Sequence, residues 1–364
     1  MRRPNNRRIP QIVAILTAAS LIAVTAAARG LPSRSEGTSG SVERTPTRAV
    51  ATIAAGAAPI HPSTASAPAA NDPQIDLCAT DGTVTLPGGV TAPIWGFVQK
   101  GSAADCSDVA GTATVPGGPV LDVNENDLVN LNVTNALPGG RTISIEVPGM
   151  NIDPASTPEV PAGGTATVTF TATSPGTYLY QSVGDDERQT AMGLFGALIV
   201  RPNTSGQAYD DPASAYDVEA PLVLSAIDPG FNAHPDSFDM HNYQATYWLI
   251  NGKAYPQTDP VHAAAGQHVL LRYVNAGYDN TTMMLLGMHE HVIARDAAPL
   301  GHPFDADAET IPAGATEDAI ASVPAGSGAL PNGFPLYNRQ LNLANGAPTD
   351  SGSPGGMMTF IKSP

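Results

Sequence analysis

From Gln74 onward, the apolar residues of this chain fall in short β-branched runs closed off by Gly, Pro, Asn and Asp, not at the three-and-four spacing of an amphipathic helix. Two stretches alternate strictly enough to read as strands with one face on a core, Leu128 to Val133 and Thr165 to Phe170. No long amphipathic helix is predicted after the N-terminus. The pattern predicts an all-β protein.

The predicted elements recur in order. The strand Asp127-Leu-Val-Asn-Leu-Asn-Val-Thr-Asn135 is answered by Gln267-His-Val-Leu-Leu-Arg-Tyr-Val-Asn275, and the turn Pro161-Ala-Gly-Gly-Thr165 by Pro312-Ala-Gly-Ala-Thr316. Gly176-Thr-Tyr-Leu-Tyr-Gln181 then corresponds to Gly333-Phe-Pro-Leu-Tyr-Asn338, and each series ends in a Gly-led apolar strand, from Gly193 to Val200 and from Gly355 to Ile361. A duplicated β domain with longer loops in its second copy gives such a series. It predicts two tandem β-sandwiches, over residues 74–203 and 215–364, joined by the polar stretch from Pro202 to Pro212.

The N-terminal 73 residues follow other rules. An Arg-rich start, an apolar run from Ile12 to Val24 and the stretch Ala26-Ala27-Ala28 match a secretory signal peptide over residues 1–28. The apolar run is shorter than the ~20 residues of a spanning helix; left uncleaved, it would act as a membrane tether. Residues 29–73 are mostly Ala, Pro, Ser, Thr and Gly, with little to bury, and read as a disordered linker. The protein is expected to be secreted or extracytoplasmic, with membrane anchoring through the apolar segment as the alternative.

Composition adds a charge argument. The formal net charge is −16, but eight of the 17 basic residues lie in the first 48 positions, and beyond them nine basic residues face 31 acidic ones. So acidic a surface repels nucleic acid and anionic lipid, and nucleic acid is excluded as a partner. A protein or other envelope partner and a homo-oligomer remain compatible with it. Cys78 and Cys106 are the only cysteines; in an exported chain they read as a disulfide closing a loop worth about 3 kcal/mol.

Residues that carry chemistry are scarce. No Gly-x-Ser-x-Gly elbow or phosphate loop occurs, and the aromatic residues look too few and too dispersed for a sugar-binding platform. Between His61 and His234 there is no histidine. Within that gap lie Ser144-Ile-Glu-Val-Pro-Gly-Met150 and Gly176-Thr-Tyr-Leu-Tyr-Gln-Ser-Val183. These segments resemble, without a gap, the two copper-ligand motifs of the multicopper oxidase family, Ser-Leu-His-Trp-His-Gly-Met and Gly-Thr-Tyr-Trp-Tyr-His-Ser-His. The resemblance extends over residues 74–364 and implies tandem cupredoxin-like Greek-key sandwiches. It also identifies Glu146, Pro148, Gln181 and Val183 as the positions of four absent histidines.

Pro and Val offer no donor, and two hard oxygen ligands do not replace the imidazoles of a trinuclear copper cluster. A type 1 copper needs a Cys thiolate between histidines, and the counterpart segment Leu336-Tyr-Asn-Arg-Gln-Leu-Asn-Leu343 has neither residue. The leading expectation is therefore a family member that has lost redox copper, carries no cofactor, and acts by binding or structural support in the envelope. A second reading keeps a copper-dependent oxidoreductase with non-standard or intersubunit sites. A third is copper binding without oxidation at His289 and His291, two apart on a predicted strand, with His302 on the following loop and Met283, Met284 and Met288 nearby.

Overall fold

The structure, a computed structural model, describes residues 72–156, 158–185, 187–325, 333–346 and 354–363. The expected signal peptide and nearly all of the expected linker lie outside the described residues. The strands of the first half are β1 (Gln74–Thr85), β2 (Thr91–Gln99), β3 (Leu121–Asn124), β4 (Leu128–Asn135), β5 (Ile143–Ser144), β6 (Glu159–Val160), β7 (Thr165–Thr171), β8 (Gly176–Gln181) and β9 (Phe195–Arg201). Those of the second are β10 (Val218–Ile227), β11 (Tyr247–Ile250), β12 (Val261–His262), β13 (His268–Asn275), β14 (Thr281–Leu285), β15 (Glu290–Arg295), β16 (Ala298–Ala306), β17 (Ala308–Ile311), β18 (Thr316–Ser322), β19 (Phe334–Asn338) and β20 (Met358–Lys362). Two one-turn helices, α1 (Arg188–Met192) and α2 (Pro229–Ala233), interrupt the β pattern.

The duplication read from the sequence is visible in the pairing. One sheet of the first sandwich runs β2-β1-β4-β7, and the second sandwich repeats this as β11-β10-β13-β18 before adding β15 and β16. The opposing sheet, β3-β9-β8, recurs as β12-β20-β19, extended by β14 and β17. Orientation recurs too: β1 is parallel to β4 as β10 is to β13, and β3 to β9 as β12 to β20. The fold is all-β, with two tandem cupredoxin-like sandwiches.

Local chemistry explains the shared geometry. β4 buries every second residue from Val129 to Asn135, so Val129, Leu131 and Val133 face the core while Asn130 and Asn132 face outward, where Asn132 bonds Asp76 and Thr167. Each Pro-Ala-Gly turn is stitched to the Asn that ends the preceding long strand. Gly163 N–H donates to Asn135 O at 2.9 Å and Gly314 N–H to Asn275 O at 2.8 Å. Both glycines hold positive φ, +70° and +79°, which strains any residue with a Cβ.

The two cores, one around Leu131, Val168 and Tyr180 and the other around Leu271, Tyr273 and Leu336, are joined by an apolar seam. Ile94, Leu86 and Val84 of the first sandwich pack with Leu249 and Tyr247 of the second, and Phe195 and Leu179 pack with Val223 and Val274. Burying side chains of this size stabilises by about 1.5–3 kcal/mol each, and both sandwiches fall in one compact unit. At Gly176, where β8 begins, a Cβ would lie 2.6 Å from the Ala297 Cβ, so the close approach of the sandwiches there requires glycine.

Candidate functional site

The fold brings the two histidine-less motifs together. Beyond β5, Ile145 and Val147 turn into the first core, which leaves Glu146 and Pro148 exposed on the other side. Glu146 then lies antiparallel to Gln181 at the end of β8: Glu146 N–H donates to Gln181 O at 2.8 Å and Gln181 N–H to Glu146 O at 2.9 Å. Gln181 and Val183 are half-buried. Glu146 and Gln181 are thus brought together, and the donor set of the four positions consists of one carboxylate, one amide, a proline and a valine.

That set does not fit the copper cluster implied by the resemblance, because no imidazole or thiolate is offered. A type 1 centre fares the same, since Cys78 and Cys106 are both buried and joined in a disulfide, Cα to Cα 5.5 Å. Neither sulfur can act as a thiolate ligand while bonded.

A neutral hydrogen-bond network fixes the locality. Ser182, fully buried, accepts from Ser144 N–H at 2.9 Å and donates to Gln189 Oε1 at 2.6 Å, while Gln189 Nε2 donates to Thr142 O at 2.9 Å. Thr190 Oγ1 donates to Ser182 O at 2.7 Å, tying α1 to the end of the second motif. Arg188 reaches across to the second sandwich, donating to Pro235 O at 3.0 Å and Phe238 O at 2.7 Å. These bonds need no metal to complete them.

Pro148 lies at the edge of a cleft of about 340 Å³ between the sandwiches, lined also by Gly149, Tyr178, Asp296 and Thr316. Beside it runs a buried charged network that sequence reasoning missed. Arg272, fully buried on β13, donates to Glu219 at 2.7 Å, to Asp318 at 3.1 Å and to Thr177 of the first sandwich at 2.9 Å. Tyr209 OH and Thr177 Oγ1 donate to Asp318 at 2.6 and 2.7 Å, and Arg201 pairs with Glu219 and Asp122. Burial opposes the Glu219 charge, but Arg272 and Arg201 outweigh it and hold the carboxyl down to about 2. The signal in the sequence was an arginine inside the apolar run Val269 to Val274.

A second acidic group, also missed, lies inside the second sandwich. Glu290 is fully buried on β15 and accepts from Tyr273 OH at 2.8 Å, with its other oxygen unpartnered among the described residues. Burial pushes its carboxyl up to about 7, and the charges of Glu317 and Glu309 add to this against the tyrosine bond. Glu317 is likewise pushed up to about 7 by burial, although Arg295 opposes the shift.

The other predicted metal residues lie close by in the chain but face outward, His289 and His291 on either side of Glu290 and His302 on the adjacent strand β16. His289 Nδ1 contacts Asp307 and His291 Nδ1 contacts Asp305, each at 2.7 Å and largely exposed. His302, expected on a loop, is exposed on β16, because the chain after Ala298 pairs back along β15 and forms an edge strand. Met283 and Met288 are buried in the second core, and the Met284 sulfur accepts from Tyr337 OH at 3.3 Å. Their thioethers serve packing. No cluster of three or more His, Cys, Asp or Glu placed to hold a metal occurs among the described residues, nor does a helix long and apolar enough to cross a membrane.

Comparison with known proteins is in keeping with this geometry. Residues 102–205 match a multicopper oxidase family model. Laccase-25 and Laccase-3 of Oryza sativa subsp. japonica are each 24% identical, over 237 and 254 residues, which are 58% and 64% of this chain but only 39% and 43% of those proteins. The chain thus spans about two-fifths of the length of the curated relatives it matches. Among solved structures, the fold is similar to a blue copper oxidase from Nitrosomonas europaea, with TM-score 0.66, 23% identity, and 80% of this chain and 86% of that one covered. A copper nitrite reductase from the same organism aligns with TM-score 0.62 and 20% identity over 80% of this chain and 94% of its own.

Proposed function

We propose that the chain is an extracytoplasmic member of the multicopper oxidase family that has given up redox copper and acts by binding or by structural support in the envelope. The observation that carries this reading is the donor set at Glu146, Pro148, Gln181 and Val183, which offers neither imidazole nor thiolate to a copper centre. Glu146 and Pro148 are exposed, so their replacement leaves no buried polar group wanting a metal. The disulfide supports an oxidising compartment, as does the signal-like N-terminus.

The test is copper loading of the purified full chain, followed by metal analysis, visible absorption and oxygen uptake with a phenolic substrate. The expected result is no stoichiometric tight copper, no blue band and no oxygen uptake. Stoichiometric copper with an intense blue band and phenol oxidation would refute the proposal. Colourless copper binding abolished by replacing His289 and His291 with Ala would assign the protein to copper binding instead.

A further inference from the structure

We propose that the excursion between β10 and β11, from Asp228 to Gln244, is a strap of the second sandwich that latches over one end of the first and opens on its base while both sandwiches stay folded. Its latches are Arg141, three residues ahead of Ser144, and Arg188, five residues beyond Val183, so it fastens beside both histidine-less motifs. The strap's own contacts carry this reading, independently of the copper question.

The base of the strap is pinched and anchored. Asp228 Oδ1 accepts from Gly230 N–H at 2.8 Å and from Phe231 N–H at 3.3 Å, while its Oδ2 accepts from Gln244 N–H at 2.9 Å. One carboxylate thus ties the outgoing chain to the returning one, as at the neck of a compact Ω-loop. Just behind it, Thr246 N–H donates to Ile227 O at 3.0 Å. The root is sunk into the first sandwich, where Phe231 is fully buried in the core and Asn232 Nδ2 donates to Pro93 O on β2 at 2.9 Å.

The tip is fastened far more lightly. No residue from Ala233 to Thr246 is buried, and Phe238, Met240 and Tyr243 only lean on the first core. Among the described residues, every hydrogen bond from Pro235–Asn242 to the rest of the chain comes from two arginines. Arg141 Nη2 donates to both oxygens of Asp236 at 3.0 and 3.1 Å, and Arg188 Nη1 donates to Pro235 O at 3.0 Å and Phe238 O at 2.7 Å. The remaining bonds are single turns within the strap, such as Phe238 N–H to His234 O at 3.1 Å and Asn242 N–H to Asp239 O at 2.9 Å. Such turns do not persist alone in water, so they are lost when the arginines let go. A segment with so little buried surface opens at far lower free energy than the strands beneath it.

Both latch arginines stand on a fixed platform. Gln189, next to Arg188, donates to the carbonyl of Thr142, next to Arg141, and Thr190 is bonded to Ser182. The strap is therefore the part that moves. Arg141 Cζ also lies 4.3 Å from the centroid of the Trp95 ring, which is buried on β2. Opening frees Arg141 and Arg188 and loosens the cover of Trp95 beside the two motifs. With only nine basic residues beyond position 48, a strap that occupies two of them gates much of the positive charge the folded part can present.

Hydrogen–deuterium exchange of the full chain tests this, run in a series of urea concentrations below the unfolding transition and compared between strap peptides and those of β4 and β8. The strap amides should be protected, yet exchange at least about a hundredfold faster than those strands, with almost no dependence on urea, because local opening exposes little surface. Arg188→Ala should speed strap exchange at least about tenfold. Asp236→Ala, at an exposed position where folding is not at stake, should speed it about two- to fivefold. Strap amides that exchange without protection, or that share the rate and urea slope of β4 and β8, would overturn the proposal, as would strap exchange indifferent to both variants.

Discussion

Replacing Glu290 with Gln should abolish a loss of stability that the native protein suffers as the pH rises through the weakly acidic range. Glu290 is buried between the sheets of the second sandwich with one oxygen on Tyr273 and the other unpartnered among the described residues. Its carboxyl is lifted by burial from an ordinary 4.5 to about 7. The unfolded chain releases this proton near 4.5, whereas the folded chain holds it until about 7. Across that interval the folded state binds one proton more, and stability must fall as pH rises. The stabilisation is therefore complete below 4.5 and gone above about 7. At about 1.36 kcal/mol per pH unit, the loss amounts to about 3 kcal/mol. Urea denaturation of both proteins at about pH 4.5, 5.5, 6.5 and 7.5 at constant ionic strength gives the decisive quantity, the stability difference between them. Any fixed penalty of burying the amide cancels from its pH dependence. The difference should shift by about 2–3 kcal/mol in favour of the variant from the lowest to the highest pH; parallel profiles would refute the reasoning.

Three further outcomes are expected. Arg272→Met strips the cation from between Glu219 and Asp318 and should lower stability by about 3–5 kcal/mol in urea denaturation, because it leaves carboxylates buried without their partner. Replacing Cys78 and Cys106 with Ser opens a loop of 28 residues and should remove about 3 kcal/mol, measured under the same non-reducing conditions. Gly176→Ala forces a methyl into Ala297 and should cost about 1–3 kcal/mol by overpacking, seen as a lower urea midpoint.

What the sequence disclosed and withheld divides along physical lines. The alternation in β4 and β7 was legible because a half-buried strand writes its burial at period two, and the duplicated turns were legible because Gly163 and Gly314 answer a local backbone need. The four positions that the resemblance marks could be addressed because a short motif fixes its own frame. Long-range pairings were not. Arg272 announces a buried charge, yet its partners Thr177 and Asp318 lie 95 and 46 residues away, and no local pattern specifies them. Glu290 sits between two histidines that drew attention as metal ligands, while alternation turned the glutamate inward and His291 outward. His289 and His291 then found Asp307 and Asp305, which a strand pattern without its pairing register cannot foretell.

The geometry also bears on how the two sandwiches stay together under the proposed loss of copper. A metal shared between domains contributes its binding free energy to their association. Here that role falls to other contacts: the apolar seam around Ile94, Leu249 and Phe195, and the chain of charges Asp122, Arg201, Glu219, Arg272 and Asp318 that runs from one sandwich into the other. If these contacts suffice, saturating copper should leave thermal stability unchanged, and so should a chelator. A ligand that binds only the folded state at a hundred times its Kd adds about 2.7 kcal/mol, which in a domain of 150–250 residues raises Tm by about 2–4 °C per kcal/mol. Scanning calorimetry of the full chain with copper and with chelator resolves a change of that size. A copper-dependent rise that survives replacement of His289 and His291 would mean that the ligand-poor frame at Glu146 and Gln181 still holds metal, and the proposed loss of copper would fall with it.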